Sequence, residues 1–77
     1  MIGKALKYMR QVNNISQDKV SEFTHIGRST ISDYEREKTD INFENIEKIA
    51  NFCDYEIIFY NKKTKDKFQV KDINRKI

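Results

Sequence analysis

Apolar side chains recur at Ile2, Ala5, Leu6, Met9 and Val12, three or four positions apart, and this spacing predicts an amphipathic first helix ending near Asn13-Asn14. Ser16 can cap a second helix by accepting from a free backbone N–H. Asp18 then sits where the helix dipole favours negative charge, and Val20 and Phe23 supply the inward face. After the short break Thr24-His25-Ile26-Gly27, a third helix over residues 28–36 places Ile31, Tyr34 and Glu35 on one side, with Arg28, Ser29, Ser32 and Asp33 elsewhere. A helix with so few apolar positions must be half exposed.

Asn42 is a suitable cap for a fourth helix, and Ile41 and Ile46 stand at the positions of a hydrophobic staple across its start. Ile46, Ile49, Ala50 and Cys53 continue an inward stripe, in which Cys53 reads as a small core residue and not as a reactive thiol. At Tyr55 the period changes. Glu56-Ile57-Ile58-Phe59-Tyr60 is rich in β-branched and aromatic residues, and after the polar turn 61–66 a second run, Phe68-Gln69-Val70, follows, so a β-hairpin is expected. Asn74-Arg75-Lys76-Ile77 is short and charged and is expected to fray. The fold expected is mainly α: a four-helix domain over residues 1–54, then a hairpin extension with a basic tail over residues 55–77.

A chain of 77 residues has room for one compact domain, which buries too small a share of its surface to be very stable alone, so a partner subunit would help. No run approaches the length of a membrane span, and no secretory leader is legible, which predicts a cytoplasmic protein. Cys53 is the single cysteine, so neither an intramolecular disulfide nor a cysteine-based zinc site can form. The net charge of +3 is unevenly spread. Residues 1–38 carry seven bases against five acids, 39–60 one base against five acids, and 61–77 seven bases against two acids. On its own such a pattern is equally that of an ordinary solvated surface.

Catalysis finds little support. His25 is the only histidine, which leaves a histidine-based metal cluster or triad without partners, and Gly3 and Gly27 are too few for a phosphate-cradling loop. No enzymatic activity, cofactor or metal is expected.

Four short helices with a tight turn between the second and third make a minimal helix-turn-helix arrangement. The runs Ile15-Ser16-Gln17-Asp18-Lys19-Val20-Ser21-Glu22-Phe23 and Ile26-Gly27-Arg28-Ser29-Thr30-Ile31-Ser32-Asp33-Tyr34-Glu35-Arg36 resemble the "LSQEELAE…VSRSTISRIERG" signature of phage-repressor and Cro-like (XRE-type, Cro/C1-type) domains. The resemblance extends from Ile2 to about Tyr55. It implies a transcriptional regulator, a repressor that binds a palindromic operator in double-stranded DNA as a homodimer. Antitoxins of the HipB-like kind, whose last helix runs into a strand shared between subunits, resemble the chain as well. Under that alternative the domain also binds and neutralises a toxin or another protein partner.

The resemblance places Gly27, Arg28, Ser29 and Thr30 at the major groove, with Asp33 one turn further on. Arg28 can donate in parallel to guanine O6 and N7 and is the expected specificity determinant. Ser29 and Thr30 can reach base edges or phosphate, and Asp33 can accept from cytosine N4 or orient Arg28. Gln17, at the first turn of the second helix, is expected to grip a phosphate, with Arg36 and Lys38 as further phosphate contacts and Lys7 or Lys19 as weaker candidates. Arg10 and Glu35 match positions that in related repressors form a structural ion pair between the first and third helices. Two departures stand out: Gly27 replaces a Ser or Thr cap, and Glu37 stands where a glycine usually ends the third helix.

In the hairpin, Tyr55, Ile57 and Phe59 alternate with Glu56, Ile58 and Tyr60. One face is expected to cover the helical core, and the other, through Ile58 and Tyr60, to pair with a second subunit. The competing expectation is a hairpin that caps only its own domain, with dimerisation through the fourth helix on DNA.

Overall fold

The computed structural model describes residues 1–73, so the segment expected to fray, 74–77, lies outside the described residues. Four helices follow in chain order: α1 (Ile2–Val12), α2 (Gln17–Thr24), α3 (Arg28–Glu35) and α4 (Phe43–Phe52). A two-stranded antiparallel ladder, β1 (Phe59–Tyr60) and β2 (Lys67–Phe68), and a 3-10 turn (Val70–Asp72) complete the fold.

The caps explain where α2 and α4 begin. The Ser16 side chain accepts from the Lys19 N–H at 3.1 Å, and the Asn42 side chain accepts from the Asn45 N–H at 2.8 Å. Each helix then closes on a left-handed residue that is not glycine: Asn14 (φ 56), His25 (φ 61), Glu37 (φ 59) and Asp54 (φ 65). At Glu37 the closure is a Schellman motif, with the Lys38 N–H donating to the Asp33 carbonyl at 2.9 Å and the Glu37 N–H to the Tyr34 carbonyl at 3.0 Å. The same double bond pattern closes α1 at Asn14 and α4 at Asp54.

Leu6, Val20, Ile26, Ile31, Tyr34, Ile49 and Cys53 form the buried core, with Met9, Ile15, Ile41, Ile46 and Phe52 packed around it. Polar ties lock its edges. The Asn45 amide donates to the Tyr34 hydroxyl at 2.9 Å, fixing α4 on α3. The Asn13 amide donates to the carbonyls of Met9 (2.9 Å) and Cys53 (3.0 Å), fixing the end of α1 on the end of α4. Burial pushes the Cys53 thiol above its ordinary pKa.

Three expectations from the sequence need correction. The inward face of α1 is not the Ile2-Ala5-Leu6-Met9-Val12 stripe: Ile2, Ala5 and Val12 are exposed, whereas Gly3 and Leu6 are buried. The cause is close approach. A Cβ at Gly3 would collide with the Tyr34 carbonyl oxygen, so α1 lies directly on the end of α3 there, and that contact sets its rotation. In α2, Phe23 is 56% exposed; Val20 and Thr24 face the core, and Phe23 instead stacks on Phe52 at the surface with ring centroids 5.1 Å apart.

The third correction concerns the hairpin. Its ladder has two residue pairs, Phe59 with Phe68 and Tyr60 with Lys67; residues 55–58 lie outside it, and Val70 joins the 3-10 turn. No hairpin residue enters the core cluster, so the hairpin does not cover the helical core. It leans on the start of α4 through Phe59, whose ring lies 6.2 Å from Phe43 and 5.5 Å from Phe68.

Candidate nucleic-acid interface

The turn between α2 and α3 is three residues long, His25-Ile26-Gly27, and its shape follows from two contacts. Ile26 is buried in the core, and the Thr24 hydroxyl donates to the Val20 carbonyl at 2.6 Å while accepting from the Ile26 N–H at 3.3 Å. These contacts tie the turn to α2 on one side and to the core on the other.

Inward, α3 buries Ile31, Tyr34 and Glu35. Outward, Arg28, Ser29, Ser32 and Arg36 line an open cleft of about 300 Å³ together with Gln17 from the start of α2. Arg28, Ser32 and Arg36 are four residues apart and so share one helical stripe. Such a row of donors beside a helix N-terminus can bind an extended anion or read the edges of flat polar groups.

The cations of this cleft are not loose. Arg28 Nε lies 2.9 Å from Asp18 Oδ1 of α2, and Arg36 Nη2 donates to Asp33 Oδ1 at 2.8 Å. Asp33 therefore orients Arg36, not Arg28, which corrects one of the two roles expected for it. The role the sequence assigned only to a helix dipole, that of Asp18, includes an ion pair across the turn.

Beneath the cleft lies a polar network that the core shields. Arg10 Nε and Nη2 donate to the two Glu35 carboxylate oxygens at 2.7 and 2.8 Å, and Arg10 Nη1 donates to the Ile15 carbonyl at 2.9 Å. The Gln17 amide joins by donating to Glu35 Oε1 at 3.1 Å. Burial pushes the Glu35 carboxyl up, but the hydrogen bonds from Arg10 and Gln17, with the charges of Arg10 and Lys7, outweigh it and hold Glu35 below the ordinary glutamate pKa. The bond to Glu35 holds the Arg10 guanidinium above its ordinary value against the opposing effect of burial. One face of Gln17 is thus anchored, and its position at the head of α2 is set by the scaffold.

Of the other residues singled out in the sequence, Gly27 is exposed immediately before Arg28, Ser29 is exposed, Thr30 is half-buried, and Lys38 is exposed beyond α3, away from the cleft lining. Gly27 caps α3 without a side-chain hydrogen bond. Ser32 was visible in the sequence as a residue of the outer face, but its part in the cleft needed the spacing of Arg28 and Arg36 to be read as one stripe. The Asp18–Arg28 pair joins two helices, and no periodicity reveals it. Ile58 and Tyr60 are exposed, at 47% and 55%. Among the described residues no helix is long and apolar enough to cross a membrane.

A four-helix core that presents the second helix of a tight helix pair, polar side outward, defines the class of helix-turn-helix proteins. Residues 6–59 match the helix-turn-helix family model, and the chain belongs to this XRE-type helix-turn-helix family of DNA-binding regulatory domains. It is also similar to a protein of Methanococcus vannielii, provisionally named an HTH-type transcriptional regulatory protein, with 38% identity over 56 residues. That match takes in 73% of this chain but only 17% of the relative's length. No solved structure matches the chain at a significant level.

Proposed function

We propose that the chain is a sequence-specific transcriptional regulator, a cytoplasmic repressor that binds a palindromic operator in double-stranded DNA as a homodimer. The observation that carries this reading is the two-sidedness of α3: Ile31, Tyr34 and Glu35 fix it to the core, while Arg28, Ser29, Ser32 and Arg36 line a polar cleft with Gln17. In this reading α3 enters the major groove from its first turn. Arg28 reads a guanine, Ser29 and Thr30 approach base edges or phosphate, and Gly27 brings the backbone close. Gln17, held by Glu35, keeps an amide donor for a phosphate at the head of α2, and Arg36 and Lys38 add backbone contacts that set register. Arg10 and Glu35 serve the scaffold. Ile58 and Tyr60, exposed on the hairpin, contribute to pairing of two subunits.

Selection of duplexes bound by the full chain from a random library tests the proposal. The expected result is a palindromic motif whose half-sites lie one helical turn apart, about 34 Å. Recovery of unenriched sequence would overturn it.

A further inference from the structure

The pair formed by Asp18 and Arg28 has no evident task in holding the fold. Its side chains are 76% and 63% exposed, and an exposed pair of this kind contributes little to stability. Yet it joins the first turn of α2 to the first residue of α3, across the turn and at the edge of the cleft. The contact is an ion pair at Nε and not a hydrogen bond, so the guanidinium donors, the outer edge formed by Nη1 and Nη2 among them, are left for a second partner. That outer edge is a fork of parallel donors, which suits the O6 and N7 acceptors of guanine.

We infer that Asp18 is a positioning residue for sequence readout: it holds the Arg28 fork toward a guanine and discourages that arginine from settling on phosphate. The inference rests on the DNA-reading function proposed above. An arginine on an exposed helix end samples many rotamers, and ordering it on binding costs affinity unless something orders it beforehand. Asp18 is well placed to do so, because its own backbone is fixed by the Ser16 cap and its charge is favoured by the α2 dipole.

The carboxylate also acts on the wrong complexes. Beside a DNA backbone it repels phosphate, so a complex in which Arg28 abandons Asp18 leaves an unpaired negative charge against the polyanion. The neighbouring cation is arranged alike, Arg36 being tied to Asp33 at 2.8 Å. The two arginines of the cleft are thus answered by two aspartates, which leaves little unbalanced positive charge to attract DNA without regard to sequence.

The test uses the full chain as wild type, Asp18→Asn, Asp18→Glu and Arg28→Ala. Binding is measured to the selected duplex, to its single base-pair variants and to random duplex, across a salt series. Asp18→Asn is expected to fold, with melting lowered by only about a few degrees, because it removes a charge that the α2 dipole favours. It should lose about tenfold in preference for G·C at one position per half-site, the same position that Arg28→Ala relaxes. Its affinity for random duplex should rise, with a salt dependence steeper by about one phosphate contact. Asp18→Glu, which keeps the charge, should restore part of the preference. If wild type discriminates among base pairs and Asp18→Asn discriminates equally well, Asp18 has no positioning role while the regulator reading stands. An equal loss of affinity on all sequences would likewise overturn the inference. A wild type without any base preference would remove both.

Discussion

At the scale of single residues, the Arg10–Glu35 pair ties α1 to α3 and holds the Gln17 amide at the head of α2. The side chains are 13% and 5% exposed, so removing one partner leaves the other charged and poorly solvated. Glu35→Ala is expected to cost about 3 kcal/mol of stability, read from chemical denaturation. The carboxyl's lowered pKa gives a pH dependence as well. Because the folded state binds the Glu35 proton less readily than the unfolded chain, this contribution is complete above the ordinary glutamate pKa of about 4.3 and is lost as pH falls through the lower folded value. Glu35→Gln should therefore show a shallower loss of stability between about pH 5 and pH 3 than the wild type. Identical acid limbs in the two proteins would show that the carboxylate carries no such linkage. Arg10 and Glu35 could be picked out in the sequence only through resemblance, since their positions 25 residues apart carry no periodic signal. Gln17's bond to the same carboxylate was not legible at all, because a residue at a helix start reads equally as a ligand contact or as a cap neighbour.

At the scale of elements, the sequence was most informative where a local chemical rule acts alone. Ser16 and Asn42 cap the helices they were expected to cap, and Ile49, Ala50 and Cys53 face inward at their helical spacing. It was least informative where one element fixes the rotation of another. The apolar spacing of α1 pointed to Ile2 and Val12, but contact at Gly3 turns the helix so that Leu6 carries the burial. Gly3→Ala should accordingly destabilise the protein by roughly 1 to 3 kcal/mol, since the added methyl must push α1 away from the Tyr34 carbonyl. Unchanged melting of that variant would mean that α1 can shift without loss. The helix ends fell close to where the sequence placed them, but the conformation that closes them was not legible. Asn14, His25, Glu37 and Asp54 take the left-handed conformation that glycine would advertise, and Glu37 in particular carries no sequence signal of a stop. The ladder is shorter than the β-rich run because that composition needs a partner strand to become ladder, whereas the turn lies where the polar run 61–66 placed it, with the Asn61 side chain accepting from the Lys63 and Thr64 N–H groups at 2.9 and 3.1 Å.

At the scale of the whole molecule, the protein measures 39 × 23 × 22 Å, with a radius of gyration of 13.8 Å. A compact chain of this length would have about 11.5 Å, and the excess fits a hairpin that stands off the helical core instead of covering it. Phe43, Phe59, Ile58 and Tyr60 remain exposed there, an apolar surface suited to a second copy of the chain. Placing Glu at both Ile58 and Tyr60 should convert a dimer to a monomer by light scattering without lowering the melting of the helical core. A dimer that persists would assign pairing to another surface, such as α4. In the proposed homodimer two copies of α3 would set the spacing of half-sites, but the proposal stands first on α3 reading sequence by itself. The most direct test compares wild type and Arg28→Ala on the selected operator and on random duplex at the same salt concentration. A loss of roughly 1 to 3 kcal/mol on the operator, with a much smaller change on random DNA, is the expected result. Equal losses on both would contradict it and make Arg28 a contact to phosphate alone.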